Sequence, residues 1–133
     1  MLTCYLGVGS NLGDRLKNIK LSIQKIDALK ETKVIKVSRI IETKPLGGPR
    51  HQPKFLNACL RIQTSLSPKI LLKKLKIIEN EIGRRKTVRF GPRIIDLDIL
   101  LYGDKSVRTK LLRIPHPRLF ERSFVVEPLT EVL

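Results

Sequence analysis

The chain has 133 residues, of which 41% are hydrophobic and 29% charged, with 8 glycines and 8 prolines. This length suits one domain with one hydrophobic core, and the composition excludes collagen-like, low-complexity and fully disordered proteins. The 27 lysines and arginines exceed the 12 aspartates and glutamates by 15 charges, and so basic a chain attracts polyanions. No apolar stretch is long enough for a membrane helix, and the N-terminus has no secretory-signal pattern. We expect a single cytoplasmic domain over residues 1–133, with its two cysteines reduced.

The first half of the chain predicts a β-α-β unit. Residues 3–9 favour a strand, and the glycine-rich residues 7–13 are interpreted as a strand-to-helix turn because their spacing does not match a dinucleotide loop. A second strand is predicted over residues 34–41, and the proline- and glycine-rich residues 43–53 must form a loop. The helix between the strands is indicated by apolar residues at steps of three and four: Leu16, Ile19, Ile23 and Ile26.

The second half predicts another β-α-β unit. Residues 56–64 alternate between apolar and polar side chains, and a helix capped by Ser67 follows, with Pro68 in its first turn. Its buried face is predicted to carry Leu71, Leu75, Ile78 and Ile82. A strand over residues 93–102 comes next, and residues 122–129 return to the sheet or pack across it. This order indicates an α+β fold, a ferredoxin-like antiparallel sheet with helices packed on its faces.

Two aspartates stand out in the last long strand. Side chains alternate faces along a strand, so Asp96 and Asp98 share one face, with Cα atoms about 6.6 Å apart. The apolar residues between and around them are predicted to share the core face: Ile95, Leu97, Ile99 and Leu101. Paired carboxylates suit Mg²⁺, which takes one or two of them together with phosphate oxygens. The alternative is two ordinary surface aspartates, which we disfavour because aspartate is rare in strands and close like charges repel.

A cluster of basic residues precedes and follows this strand. Guanidinium groups bind phosphate oxygens bidentately, so arginines beside paired acids are typical of a Mg²⁺-polyphosphate site. The cluster comprises Arg84, Arg85, Lys86, Arg89 and Arg93, with His116, Arg118 and Arg122 downstream. The alternative function is a non-enzymatic RNA-binding ferredoxin-like domain. That function would need interleaved aromatic residues, and only 5% of residues are aromatic.

Four segments resemble the family of 6-hydroxymethyl-7,8-dihydropterin pyrophosphokinases of folate biosynthesis. They are residues 9–13, residues 45–48 with 52–58, residues 91–100, and residues 114–118 followed by Arg122. The resemblance covers nearly the whole chain, and the Gly-Pro-Arg-x-x-Asp-x-Asp run in it is highly specific. It implies Mg²⁺-dependent transfer of diphosphate from ATP to the hydroxymethyl group of the dihydropterin, with release of AMP.

The resemblance also implies residue roles. Asp96 and Asp98 would bind two Mg²⁺ ions and, with Arg84 and Arg93, form the catalytic set; no general base is required. The residues implied for ATP are Arg84, Arg93, Ile99, His116 and Arg122. Those implied for the pterin are Thr43, Pro45, Leu46, Phe55, Asn57 and Phe124, with the ring stacked between the two phenylalanines. Without the resemblance, core packing would be the preferred interpretation of those two rings.

The chain also departs from the family pattern. Many members continue beyond the equivalent of Leu133, so a C-terminal tail is expected to be absent. Lys86 stands at an arginine position and Phe90 at a position that can be tryptophan. Glu79 matches a polar family position, although its helical periodicity alone indicates a solvated side chain. We expect a monomer that binds ATP and the pterin and has neither nucleic acid nor a membrane as partner.

Overall fold

Two β-α-β units follow one another along the chain in the computed structural model. The structure describes residues 1–45, 48, 51–85, 91–117 and 123–133, with only the backbone of residues 123–124. Its elements are, in order, β1 (Leu2–Ser10), α1 (Arg15–Asp27), β2 (Thr32–Val37), β3 (Ile41–Thr43), β4 (Phe55–Thr64), α2 (Pro68–Ile82), β5 (Asp96–Tyr102), β6 (Val107–Arg108), β7 (Arg113–Ile114) and α3 (Ser123–Val132).

The main sheet has the strand order β2-β4-β1-β5, and β3 extends the edge of β4 beyond β2. β1 and β2 both run antiparallel to β4, so they are parallel to each other with β4 between them. In the same way, β1 lies antiparallel between β4 and β5. Each helix therefore connects two strands that flank a third, which is the ferredoxin-like arrangement, and the predicted fold class is confirmed.

Local signals set the ends of both long helices. Asp14 caps α1 by accepting a hydrogen bond from the Lys17 N–H, and Ser67 caps α2 in the same way at Ile70, as predicted. α2 ends at Gly83, whose φ of 119° suits glycine. Leu16, on the apolar face predicted for α1, is 43% exposed, because the buried stripe of α1 begins one turn later. None of the helices in the described ranges has the length and apolar character that a membrane span requires.

The helices cover the two faces of the sheet differently. α1 and α2 pack on one face, which we call the closed face, and enclose the main core of buried aliphatic residues from both helices and the central strands. On the opposite face, which we call the open face, α3 places Leu129 and Val132 against Cys59 and Leu100. The predicted return of the C-terminal residues across the sheet is therefore confirmed, and they form a helix.

Three strand predictions needed correction. The strand predicted over residues 34–41 is interrupted because Ser38 Oγ, rather than backbone, accepts the Cys59 N–H at 2.8 Å. The strand predicted from Arg93 begins at Asp96. The core position predicted for Leu101 was wrong, because the β1–β5 register shifts between Tyr5 and Leu6 and turns Leu101 to the α3 side.

Candidate active site

A cavity of about 380 Å³ lies on the open face of the sheet, beside α3. It is bordered by β1, β3, β4, β5 and the segments that lead into β4 and β5. It gathers most of the residues that sequence analysis assigned to substrates. Those in its lining are Thr43, Pro45, Phe55, Asn57, Arg84, Arg93, Asp96, Asp98 and His116.

Strand register explains how these residues meet. Asn57 of β4 is paired with Gly9 of β1, and Gly9 is paired on its other side with Asp96 of β5. A β-carbon added at Gly9 would lie 2.9 Å from the amide oxygen of Asn57, so glycine is needed for that close approach. Gly7 and Gly9 lie within β1, as the strand predicted over residues 3–9 implies, and β1 extends to Ser10 before the turn. Their role is to form the cavity floor between the amide and the carboxylates.

One end of the cavity combines an aromatic ring with an oriented amide. Asn57 Nδ2 donates a hydrogen bond of 2.6 Å to Thr43 Oγ1. Phe55 is paired with Thr43 across β3 and β4 and lines the same space. Because the threonine fixes the amide, this end combines an aromatic side chain with directed polar atoms, which suits a flat heterocycle.

The other end is built around Arg84. Its Nη1 donates to Asp96 Oδ1 at 3.0 Å and to Glu79 Oε2 at 2.5 Å. Glu79 Oε2 also accepts the Leu97 N–H at 2.8 Å. This chain of contacts holds the guanidinium against the start of β5, at the border of the cavity.

Glu79 is a site residue whose burial sequence analysis missed. It is 4% exposed rather than solvated, because it lies four residues after Leu75 and three before Ile82, on the buried stripe of α2. That spacing was the available signal. Burial raises the pKa of the Glu79 carboxyl, while the Leu97 N–H and the Arg84 charge act in the opposite direction.

A second cavity of about 290 Å³ adjoins the first and shares Arg84, Asp96, Asp98 and His116 with it. It also reaches Ile99, whose side chain is 3% exposed and packs in the core of the closed face. The four shared residues therefore lie between a cavity suited to a heterocycle and a cavity along the outer edge of β5.

Paired carboxylates are suited to a metal held jointly with phosphate. Across the described ranges, no group of three or more His, Cys, Asp or Glu side chains converges as a metal cage. Asp96 and Asp98 offer hard oxygen ligands on one face of β5, beside a cationic side chain. This donor set fits Mg²⁺, which binds to one or two carboxylates and completes its shell with phosphate and water.

Several sequence predictions concern residues outside the described structure. They are Leu46, Lys86, Arg89, Phe90, Arg118, Arg122 and the side chain of Phe124. Their assigned roles stay predictions.

The chain matches a known protein family over nearly its whole length. The model of the 7,8-dihydro-6-hydroxymethylpterin-pyrophosphokinase family matches residues 5–133. A protein of Aquifex aeolicus named 2-amino-4-hydroxy-6-hydroxymethyldihydropteridine pyrophosphokinase is 48% identical over 132 residues, which is 99% of this chain and 81% of that protein. A protein of the same name from Bacillus subtilis is 44% identical over 96% of this chain and 76% of its own length.

A longer protein shows the same similarity. The folic acid synthesis protein fol1 of Pneumocystis carinii is 48% identical over 128 residues, which is 96% of this chain and 17% of that protein. The chain therefore belongs to the 7,8-dihydro-6-hydroxymethylpterin-pyrophosphokinase family, as the match to the family model and the identities to the two bacterial proteins show.

Proposed function

We propose that the chain transfers diphosphate from ATP to the hydroxymethyl group of 6-hydroxymethyl-7,8-dihydropterin and releases AMP, as a step of folate biosynthesis. The family to which it belongs uses ATP, a divalent metal ion and a pterin substrate. The observation that carries the proposal is the pairing of Asn57, Gly9 and Asp96 across three strands. This pairing supports the proposal because it brings the end of the cavity with Asn57 and the end with Asp96 to one cavity floor.

The pterin binds at the aromatic end of the larger cavity. Its ring lies against Phe55, and its polar edge meets the amide of Asn57, which Thr43 orients. Pro45 and Leu46 supply backbone groups, and Phe124 supplies the second ring of the stack. This pose directs the hydroxymethyl group towards the carboxylates of β5.

The triphosphate lies at the border between the two cavities. Arg84, held by Glu79, contacts the transferring phosphates together with Arg93, and His116 and Arg122 assist. Asp96 and Asp98 would hold two Mg²⁺ ions, which would supply positive charge to offset that of the triphosphate. The hydroxymethyl oxygen bonds to the β-phosphorus, the bond from that phosphorus to the oxygen of the α-phosphate breaks, and AMP leaves. The hydroxyl proton passes to solvent.

The nucleoside occupies the outer edge of β5. The Leu97 N–H points away from β1, because it donates to Glu79. Backbone groups of alternate residues point to the same edge of a strand, so the N–H and C=O of Ile99 face that edge as well. Ile99 therefore contacts the adenine through its backbone while its side chain stays in the core.

We further propose that the chain is a single monomeric domain that works in the cytoplasm. Its two free cysteines are buried, which agrees with a reducing compartment. The RNA-binding alternative is not favoured, because the chain matches a pyrophosphokinase family and because the paired carboxylates of Asp96 and Asp98 in the cavity would repel a phosphodiester backbone.

The test follows AMP formation by purified protein given ATP, Mg²⁺ and the dihydropterin. We expect AMP only when both substrates and the metal are present, with loss in EDTA and recovery on adding excess Mg²⁺. Release of ADP, or turnover independent of the pterin, would contradict the proposed reaction.

Arg84→Ala and Arg85→Ala form a matched pair for the same assay. They remove the same charge from adjacent positions, but Arg85 is exposed and its guanidinium contacts the carbonyl of Arg84. We expect Arg84→Ala to lower the rate roughly 10²-fold or more and Arg85→Ala to change it little. Equal losses would contradict the role given to Arg84.

A further inference from the structure

Asn11 is a completely buried polar residue directly after β1. Its exposed fraction is 0%, and its side chain lines neither cavity of the candidate site. Buried amides need their hydrogen bonds satisfied, because an unpaired polar group loses its hydration without compensation. The partners of Asn11 therefore show what it holds in place.

Asn11 joins two segments that are distant in sequence. Its backbone N–H donates to the Arg93 carbonyl at 3.0 Å, and its Oδ1 accepts the Arg93 N–H at 2.7 Å. Its Nδ2 donates to Gln52 Oε1 at 2.9 Å and to the Pro53 carbonyl at 3.1 Å. One carboxamide thus binds the backbone before β5 and the backbone before β4.

Each of these segments carries part of the candidate site. Arg93 lines the cavity and lies three residues before Asp96, on the phosphate side. Pro53 lies two residues before Phe55, on the pterin side. If the Arg93 backbone moved, its hydrogen bonds to Asn11 would be strained. The side-chain amide of Asn11 is also hydrogen-bonded to the Pro53 carbonyl, so the movement would affect that segment too.

We propose that Asn11 is a positioning residue that couples nucleotide binding to pterin binding. When phosphates bind to Arg93, the Arg93 backbone is held in one position. The hydrogen bonds of Asn11 then hold the segment before Phe55 in a fixed position relative to Arg93. Each ligand then tightens binding of the other by the same factor, as linkage requires. This inference rests on the proposed function, because it takes ATP and the pterin as the two ligands.

The test measures the binding affinity of each ligand alone and in the presence of the other by calorimetry. The probes are oxidised 6-hydroxymethylpterin and the α,β-methylene analogue of ATP with Mg²⁺, which cannot release AMP. For the wild type, we expect the analogue to tighten pterin binding roughly fivefold or more. For Asn11→Ser, we expect that factor to fall to about twofold or less, with each ligand alone bound nearly as before.

Two further variants keep the test decisive. Gln52→Ala removes one partner while leaving Asn11 in place, and we expect an intermediate coupling factor. Asn18→Ala is the matched control: its Nδ2 donates to the Leu12 carbonyl at 3.0 Å within the same turn and reaches neither segment. It should keep the wild-type coupling factor.

The outcomes separate this inference from the proposed function. A wild-type protein that binds neither probe refutes both. A wild type that binds both independently, or an Asn11→Ser variant with weakened affinities but the full coupling factor, refutes only the coupling. If Asn11→Ser does not fold, Gln52→Ala decides: unchanged coupling overturns the proposal and reduced coupling supports it.

Discussion

Alternate residues of the same strands point to the two faces of the main sheet. The closed face forms the hydrophobic core, and the open face forms the candidate site. On the closed face, Leu60 of β4 and Leu97 of β5 are buried in the core beneath α1 and α2. On the open face, Asn57 of β4 and Asp98 of β5 line the cavity. Because neighbouring residues point to opposite faces, changes on one face should affect stability and changes on the other should affect catalysis.

Asp98→Ala on the open face should have the largest effect of all. Loss of one of the two carboxylates proposed to bind metal should lower the rate of pterin-dependent AMP release roughly 10³-fold. The free energy of unfolding should change little, since the substitution also removes a like charge beside Asp96. Urea unfolding and the AMP assay measure the two quantities. A nearly normal rate would contradict the metal-binding role.

Leu60→Ala tests the closed face. Leu60 has an exposed fraction of 0%, so its truncation should lower the free energy of unfolding by about 2–5 kcal/mol. The turnover per folded molecule should stay near that of the wild type when measured well below the melting temperature. A loss of turnover comparable to that of Asp98→Ala would show that the faces are not separable.

Gly9→Ala and Gly7→Ala compare two glycines of β1. The new β-carbon at residue 9 would lie 2.9 Å from Asn57 Oδ1 and must displace the amide, whereas at residue 7 it would lie 3.5 Å from the Leu100 side chain, an ordinary contact. We expect Gly9→Ala to weaken pterin binding about tenfold, or about 1.4 kcal/mol, and Gly7→Ala to have much less effect. Equal dissociation constants would contradict the importance of the Asn57 position.

The two cysteines, one on each face, test the effect of burial on stability rather than on catalysis. Burial raises the pKa of Cys4 from 9.0 to about 11, and burial together with the Glu131 charge raises that of Cys59 to about 12. The folded chain therefore keeps protons that the unfolded chain releases above pH 9. The free energy of unfolding should therefore fall as the pH rises from 9 towards 11. Each thiol contributes at most about 1.4 kcal/mol for each pH unit.

Urea unfolding at pH 8, 9 and 10 with a reductant measures this slope. Cys4→Ala and Cys59→Ala should each flatten it, and comparison with the wild type cancels the contributions of tyrosines and lysines. A variant with an unchanged slope would show that its thiol does not hold a proton in the folded state beyond pH 9.

Predictions from sequence succeeded where the signal was local. The cap at Ser67 and the alternation around Asp96 and Asp98 depend on residues a few positions apart. Predictions failed where pairing with a neighbouring strand determines the face on which a side chain lies. The side on which Leu101 lies depends on a register shift against β1, and no pattern within residues 93–102 contains that information.

Glu79 and the aromatic end of the cavity illustrate two other limits. Glu79 was predicted to be solvated, although it lies at the spacing of the buried residues of α2, because the Arg84 charge and the Leu97 N–H that compensate for burying its carboxylate are brought to it only by folding. The stacking and amide roles of Phe55 and Asn57 came from resemblance to the family, since a core position was otherwise the preferred interpretation of the ring.

The sequence by itself determined the two β-α-β units, the shared face of Asp96 and Asp98, and the placement of arginines before the aspartate strand. These follow from side-chain periodicity and local capping, which act over a few residues. Only the tertiary structure decided that Gly9 separates Asn57 from Asp96, and that Asn11 reaches Arg93, 82 positions away. The physical reason is that strand register and buried hydrogen bonds are set between segments, once the core of the closed face has fixed the sheet.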